Sequence, residues 1–351
     1  MSFYAIDLFC GIGGLTKGLE LANIPVVAGI DVDNTCRFAY ESNTKSMFLN
    51  QNIENVSSNE IDKLYPLDTD IKILVGCAPC QPFSRYSQRY RKDGYEDKKW
   101  KLLYEFLRLV KDIRPEIVSM ENVPDLSKQA VFKDFVDSLK SMGYFVNWEI
   151  VYCPLYGIPQ KRKRLVLLAS SIAEIKLIDP KITESNYPTV RSAIGHLKPI
   201  KDGEQDQSDA LHRASRLSDI NIKRIKSSVP GGTWRDWDPS IQLKCHKKTT
   251  GSTYASVYGR MEWDEPSPTI TTQFYGYGNG RFGHPDQNRA LSLREGALLQ
   301  SFPEDYIFID QDHPASNKEL GIHIGNAVPV ELGRAIGVTI FNHIKEYFEY
   351  G

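Results

Sequence analysis

Residues 4–14 read Tyr4-Ala5-Ile6-Asp7-Leu8-Phe9-Cys10-Gly11-Ile12-Gly13-Gly14, and the reading of this stretch decides the fold. Tyr4 to Phe9 is short and mostly apolar, as a buried strand is. Cys10 to Gly14 is a turn, because glycine frees the backbone from the usual limits on φ. Leu15, Leu19 and Ala22 then recur at helical spacing, which predicts a helix from Leu15 to about Leu21. Pro25 to Ile30 is a second strand, and it ends at Asp31. The order is strand, glycine turn, helix, strand, acid. The acid lies about twenty residues past the first glycine, the spacing that holds a ribose hydroxyl pair. The glycines do not spell the dinucleotide fingerprint, and no Lys-Ser/Thr follows to make a phosphate loop. Together these features point to an adenosine cofactor without phosphates. An ordinary βα turn uses the same residues, so the stretch alone leaves both readings open.

Outward from it the alternation continues. Asn34 to Tyr40 has helical character and Met47 to Ile53 is extended. Ile71 to Val75 is a strand, and Trp100 to Ile113 carries a broad apolar helical face. Pro115 to Met120 is a strand, Phe132 to Met142 a helix, and Tyr144 to Tyr152 with Leu165 to Ala169 a strand pair. Such alternation predicts an α/β protein, a mostly parallel sheet with helices on both faces. The closing helix, Val330 to Phe348, has the stripe Leu332, Ile336, Ile340 and Ile344, so it is expected to return and cover the first domain.

The chain has 351 residues, 41% of them hydrophobic and 25% charged, with a net charge of -1. These values fit a globular protein with one large domain or two ordinary ones. No apolar run reaches membrane-spanning length. The N-terminus lacks the charged and apolar regions of a signal peptide, and six cysteines without framework spacing read as reduced thiols. A cytoplasmic location, with no membrane partner, is therefore expected. Charge is segregated, however. Residues 186–260 hold thirteen Lys and Arg against seven Asp and Glu, a local charge of +6, interleaved with Trp234, Trp237, His246, Tyr254 and Tyr258. Bases for phosphates and aromatics for nucleobases suit a nucleic-acid surface. A solvated, loop-rich domain has the same composition.

The chemistry centres on Gly76-Cys77-Ala78-Pro79-Cys80-Gln81-Pro82-Phe83-Ser84, at the end of a predicted parallel strand. Cys77 and Cys80 form a CxxC, but a zinc site needs two more ligands and no second CxxC or His pair is present. None of the seven histidines has Glu two residues on, which excludes a zinc nucleobase deaminase. No metal is expected, and Cys77 reads as packing. As a nucleophile, Cys80 needs a partner acid, and Glu121 ends the next strand. Arg162 and Arg164 alternate along one extended segment and could bind an oxygen-rich substrate or pair with Glu121.

Six blocks in fixed order carry a family resemblance: Asp7 to Gly14, Gly76 to Ser84, Glu121-Asn122-Val123, Gln160-x-Arg162-x-Arg164, Arg294-Glu295 with Gln300-x-Phe302-Pro303, and Gly325-Asn326-Ala327-Val328-Pro329. The chain resembles the DNA (cytosine-5) methyltransferases of the bacterial and phage restriction-modification type, apart from roughly residues 172 to 265. The resemblance implies an S-adenosylmethionine-dependent, Rossmann-like methyltransferase domain with a smaller, irregular, β-containing target-recognition domain. The expected boundaries are 1–171 for the catalytic domain, 172–305 for the recognition domain, and 306–351 for a return to the first.

It further implies residue roles. Cys80 would attack C6 of a flipped cytosine, making C5 nucleophilic toward the methyl of S-adenosyl-L-methionine, with S-adenosyl-L-homocysteine as product. Glu121 would hold N3 and the exocyclic amine, Arg164 would sit at O2, and Arg162 would support Glu121 or Cys80. Phe9, Gly11, Gly13 and Gly14 would wrap the methionine end of the cofactor, with Asp31 on the ribose. Val32, Asn52, Ile53, Pro79, Leu102, Asn326, Ala327 and Val328 would complete the pocket. Gln81, Ser84, Arg85, Arg89, Arg235, Lys247 and Lys248 are candidates for DNA contact, and the basic segment 85–101 for a lid. The implied partner is double-stranded DNA, bound by a monomer, with a cognate restriction endonuclease in the same system.

The pattern departs from the family in places. Asp31 stands where Glu is more usual, and Asn52 precedes Ile53 where Asp is common. Ala78-Pro79-Cys80-Gln81-Pro82 replaces the commoner motif wordings. The family's tRNA branch typically shows Thr at the position of Ser84 and a smaller recognition region, so these features favour DNA over RNA. A catalytically silent relative would not be expected to keep Cys80, Glu121 and Arg164 together.

Overall fold

The computed structural model describes residues 1–79, 96–246, 248, 253–312 and 314–350. The chain divides into two compact units. One comprises Met1–Tyr152, Lys163–Lys181 and Val328–Gly351, the other Cys153–Arg162 and Ile182–Ala327. The expected boundaries are 171 for the end of the first stretch and 306 for the return. The structure ends it at Lys181, resumes it at Val328, and gives the ten residues between two strands to the second unit.

The first unit opens with β1 (Phe3–Leu8), α1 (Gly14–Leu21), β2 (Val26–Asp31), α2 (Arg37–Asn43) and β3 (Met47–Asn50). It continues with α3 (Ser58–Asp62), β4 (Ile71–Gly76), α4 (Glu96–Ile113), β5 (Ile117–Asn122), α5 (Ala130–Ser141), β6 (Phe145–Tyr152) and β7 (Lys163–Ser170). The seven strands form one sheet in the order β3-β2-β1-β4-β5-β7-β6. β1 to β5 are parallel, and β7 pairs antiparallel with both β5 and β6. β5 is buried at every position, as a strand covered on both faces must be. β6 is one of the two edges, and it exposes Phe145, Trp148 and Ile150.

Alternation along β1 assigns the two faces. Ile6 and Leu8 join Leu74, Val118 and Met120 in a core closed by Leu103, Phe106 and Val110 of α4 and by Phe132, Phe135 and Leu139 of α5. Asp7, between them, points the other way and accepts from Thr16 of α1 at 2.7 Å.

The second unit is irregular. Its helices are α6 (Val190–Ile194), α7 (Asp219–Lys226), α8 (Leu293–Leu299) and α9 (Asn317–Asn326). Among its described residues β structure is confined to isolated bridges such as Arg260 with Gly283. Buried arginines take the place of a ladder. Arg260 donates to the carbonyls of Ile225, Ser228, His284 and Gln287 and to Asn288. Arg289, fully buried, grips both oxygens of Glu295 at 2.6 and 2.8 Å. Burial alone would raise the Glu295 carboxyl, but Arg289 outweighs it and holds the group at about 2. Ser292 and Glu295 also form a capping box at the start of α8.

The returning helix α10 (Val330–Tyr350) packs on α1, and small residues set their separation. A Cβ on Gly18 would lie 2.5 Å from Arg334 N, Gly333 C and Val330 O. α10 reaches the sheet as well, through His343 Nε2 to Ser170 Oγ at 2.8 Å. Among the described residues no helix is long and apolar enough to cross a membrane.

Candidate active site

In an open α/β sheet, ligands gather beyond the carboxyl ends of the strands, where the strand order reverses. Here that place lies between β1 and β4, because β2 follows β1 to one side and β5 follows β4 to the other. The Gly11 turn leaves β1, Asp31 ends β2, Cys77 leaves β4 and Glu121 lies at the end of β5. All four positions come from one unit and share one edge.

Register builds one half of the site. β4 and β5 pair with Gly76 opposite Met120, so the next position sets Cys77 beside Glu121. The Cys77 Sγ donates to Glu121 Oε2 at 2.9 Å. Glu121 in turn sits opposite Val166 of antiparallel β7, which leaves Arg164 as the diagonal neighbour on the same face. Arg164 Nε lies 2.7 Å from Glu121 Oε1. This contact is an ion pair rather than an aligned hydrogen bond, since Oε1 accepts no hydrogen bond of good geometry. The register carries on one step further, and Asn122 Nδ2 donates to Ala78 O at 3.0 Å. Glu121 is only 2% exposed, and burial raises its pKa while Arg164 and the Cys77 thiol pull it down. The result is a carboxyl poised to keep a proton more readily than an exposed glutamate.

One expectation changes at this point. Cys77, read as packing, has its thiol on the carboxylate. Of the two arginines that could pair with Glu121, Arg164 is the one that meets it. Arg162 belongs to the second unit, where its guanidinium donates to Ile270 O at 3.0 Å and to Gln160 Oε1 at 3.4 Å. Its Nε is buried without a hydrogen bond. Gln160, fully buried, also takes the Ile270 N–H at 2.8 Å and donates to Gln300 Oε1 at 2.8 Å. Gln300 passes the chain of amides on to Ile324 O at 2.7 Å. Two glutamines thus tie together three of the sequence blocks, and neither had been assigned a role.

The cofactor candidates of the first unit lie on turns that keep backbone open. Phe9 and Gly11 have φ of 61° and 51°, and a Cβ on Gly11 would meet nothing within 4 Å. Asp31 is pinned by two backbone donors, Gly11 N to Oδ2 at 2.8 Å and Asp33 N to Oδ1 at 2.9 Å. Each oxygen retains a second lone pair, enough for two ribose hydroxyls. Burial raises the Asp31 pKa. Gly13 and Gly14 are buried in the turn, Val32 and Pro79 are exposed, and Phe9 and Leu102 pack half-buried against the core that encloses Ile53. Asn52 Oδ1, expected to meet an adenine amine, already accepts Glu54 N at 3.1 Å and retains one lone pair. Asn326 and Ala327 close the second unit, and Val328 opens the returning stretch of the first. The open turn and the half-used carboxylate fit an adenosyl group.

One buried acid was missed. Asp7 is 1% exposed, and its Oδ1 has no hydrogen-bond partner. Burial, helped by nearby Asp31, raises its pKa to about 7. From Oδ2 a buried chain runs through Thr16 Oγ1 and the Tyr40 hydroxyl to Ser46 Oγ. The motif that contains Asp7 had been read for its glycines alone.

The DNA candidates divide. Cys80, Gln81, Ser84, Arg85, Arg89 and Lys247, and most of the segment expected as a lid, lie outside the described residues. Arg235 and Lys248 are exposed. The aromatic residues interleaved with the bases are largely interior. Trp234 and Trp237 are 6% and 3% exposed, Trp234 stacks on His246 at 4.2 Å, and Arg224 lies over both Trp237 and Tyr258. The two tryptophans hold the second unit together and are not a platform for bases.

The chain matches the C-5 cytosine-specific DNA methylase family over residues 3–342. It is 52% identical over 347 residues to a Type II methylase, M.HgiDII of Herpetosiphon aurantiacus, covering 98% of this chain and 96% of that one. It is 30% identical to the Escherichia coli Type II methyltransferase M.Eco47II, covering 96% and 78%. Among solved structures, an E. coli prophage-encoded protein described as a DNA modification methyltransferase superposes with a TM-score of 0.74 at 19% identity, over 98% of this chain and 100% of that one.

Proposed function

The chain belongs to the C-5 cytosine-specific DNA methylase family and is a DNA (cytosine-5-)-methyltransferase, and on that premise we propose which of its residues carry the reaction and in what setting. The observation that carries the assignment is Glu121, a buried carboxyl at a strand end, beside the strand that leads to Cys80, with its proton affinity raised by burial. A cytosine inside a duplex cannot reach that edge, so the base is flipped out, at a cost of a few kcal/mol. Glu121 in its protonated form donates to N3 and accepts from the exocyclic amine. This drains charge from the ring and makes C6 electrophilic. Cys80, as thiolate, adds to C6, and the electron pair moves to C5. Arg164, beside Glu121, keeps the carboxyl oriented and would sit at the O2 edge of the base. When bound, S-adenosylmethionine supplies the methyl group as an electrophile. The residues to hold it are Asp31 at the ribose and the Phe9–Gly14 turn at the methionine end. Loss of the C5 proton and expulsion of the Cys80 thiolate restore the aromatic base and the enzyme.

The likeness to Type II methylases supports a place in a restriction-modification system, where methylation at one sequence protects DNA from a partner endonuclease. Bases of the second unit, Arg235 and Lys248 among them, would follow the DNA backbone. Purified protein, S-adenosylmethionine and mixed-sequence duplex DNA should give 5-methylcytosine, and no product in the presence of a working control would overturn the reading. Duplexes carrying 5-fluorocytosine should trap a covalent adduct with the wild type but not with Cys80→Ser. Mapping methylation on a plasmid expressed with the protein gives the recognition sequence.

A further inference from the structure

Glu121 has a partner for each oxygen, and the two differ in kind. Oε1 faces a cation, Arg164, at 2.7 Å. Oε2 receives a neutral donor, the Cys77 thiol, at 2.9 Å. Cys77 has little freedom to be elsewhere. Its backbone N–H extends the β1–β4 ladder to Leu8 O at 3.3 Å, and the Gly76–Met120 register places it beside the glutamate. The preceding Gly76 keeps the strands close, since a Cβ there would lie 2.8 Å from Leu8 O.

We propose that Cys77 is a positioning residue for methyl transfer, its thiol holding the Glu121 carboxyl in the orientation that meets the base and setting how firmly the carboxyl keeps its proton. The inference rests on the role given to Glu121 above. A donor to a carboxylate favours the ionised form, so Cys77 acts in the same sense as Arg164 and against burial. It differs from Arg164 in being a weak, uncharged donor. When a cytosine presents its N3 and amine, Oε2 must change partners, and a thiol releases it at small cost. An alanine at this position would leave a buried oxygen without a partner, and buried polar groups left unpaired are costly. A serine would keep a donor there, and a stronger one.

The test is the pH profile of methyl transfer for Cys77→Ala and Cys77→Ser, with Glu121→Gln as control. Activity requires Glu121 protonated, so its ionisation sets the alkaline limb. In Cys77→Ala that limb should move to higher pH and kcat should fall about tenfold, while KM for DNA stays within about twofold. Cys77→Ser, a stronger donor, should move the limb below the wild-type position and keep most of kcat. A Cys77 that only fills space would give Ala and Ser variants with the wild-type limb, and that result overturns the proposal. If Cys77→Ala does not fold, Cys77→Ser decides alone: a limb below the wild-type position supports the proposal, and one at or above it overturns it. The control keeps the two readings apart. Full activity in Glu121→Gln sinks the role of Glu121, whereas an inactive Glu121→Gln beside unshifted Cys77 variants sinks only this inference.

Discussion

Arg164 reaches Glu121 across an antiparallel pair, two residues along from the position directly opposite. The glutamate is buried and the arginine side chain is 13% exposed, so the pair is poorly screened. Removing one partner of such a pair leaves a buried charge uncompensated, which costs about 3–5 kcal/mol. Arg164→Met should therefore destabilise the protein by several kcal/mol in urea unfolding and reduce kcat by at least about a hundredfold. Arg164→Met combined with Glu121→Gln should be more stable than Arg164→Met alone, because Gln leaves no charge behind. Equal stability of the single and double variants would contradict this account.

Asp7 makes stability depend on pH. Its carboxyl titrates near 3.8 in the unfolded chain and near 7 in the fold. Below about pH 4 both states are protonated and burial of the group carries no ionisation penalty. From there to about pH 7 only the unfolded chain releases the proton, so stability falls across this window and stays low above it. Three pK units correspond to about 4 kcal/mol at most. Asp7→Asn should flatten the profile, raising Tm at pH 8 and leaving it nearly unchanged at pH 4, as read by scanning calorimetry.

Gly18→Ala tests the α1–α10 contact. Alanine favours a helix by about 1 kcal/mol over glycine. Here the new Cβ would meet three backbone atoms at 2.5 Å, and overpacking of that kind costs about 1–3 kcal/mol or more. The clash should win and Tm should fall. A rise in Tm would mean that the two helices part without cost.

Trp234 and Arg235 are neighbours with opposite fates. Trp234→Ala should cost about 3–5 kcal/mol, because the ring is interior and its Nε1 donates to Tyr254 O at 2.9 Å. Arg235→Ala should leave Tm within about a degree, since its cation–π contact with Trp234 is at the surface. If Arg235 meets a phosphate, the variant should bind DNA more weakly and lower the slope of log affinity against log salt by about one. An unchanged slope would remove Arg235 from the DNA contacts.

What could be read from the sequence was what local signals encode. The strand, glycine turn, helix, strand and Asp31 of the opening each depend on neighbours within a few residues, and α1 and β2 fall within a residue of where the pattern puts them. What escaped depends on pairing across the sheet. Nothing near Cys77 says that it faces Glu121; that follows only once β4 and β5 are in register. Which of Arg162 and Arg164 meets Glu121 likewise needs the β5–β7 alignment. Composition placed Trp234 and Trp237 in a basic, aromatic stretch but could not say which of its side chains face inward. α9 was not anticipated, although Ser316 three residues before Glu319 marks its start, and Ser316 does accept from Glu319 N.

The meeting of α1 with α10 also has a consequence in time. α10 follows α1 by some three hundred residues, and a ribosome adds about 5–20 residues per second. For roughly fifteen to sixty seconds after α1 is synthesised, the surface that Gly18 keeps flat for α10 has nothing to cover it. A nascent chain must therefore carry this face of α1 uncovered until α10 has been made. Conditions that slow elongation, or truncations that remove α10, should expose this surface to chaperones and proteases long before they touch any residue of the active site.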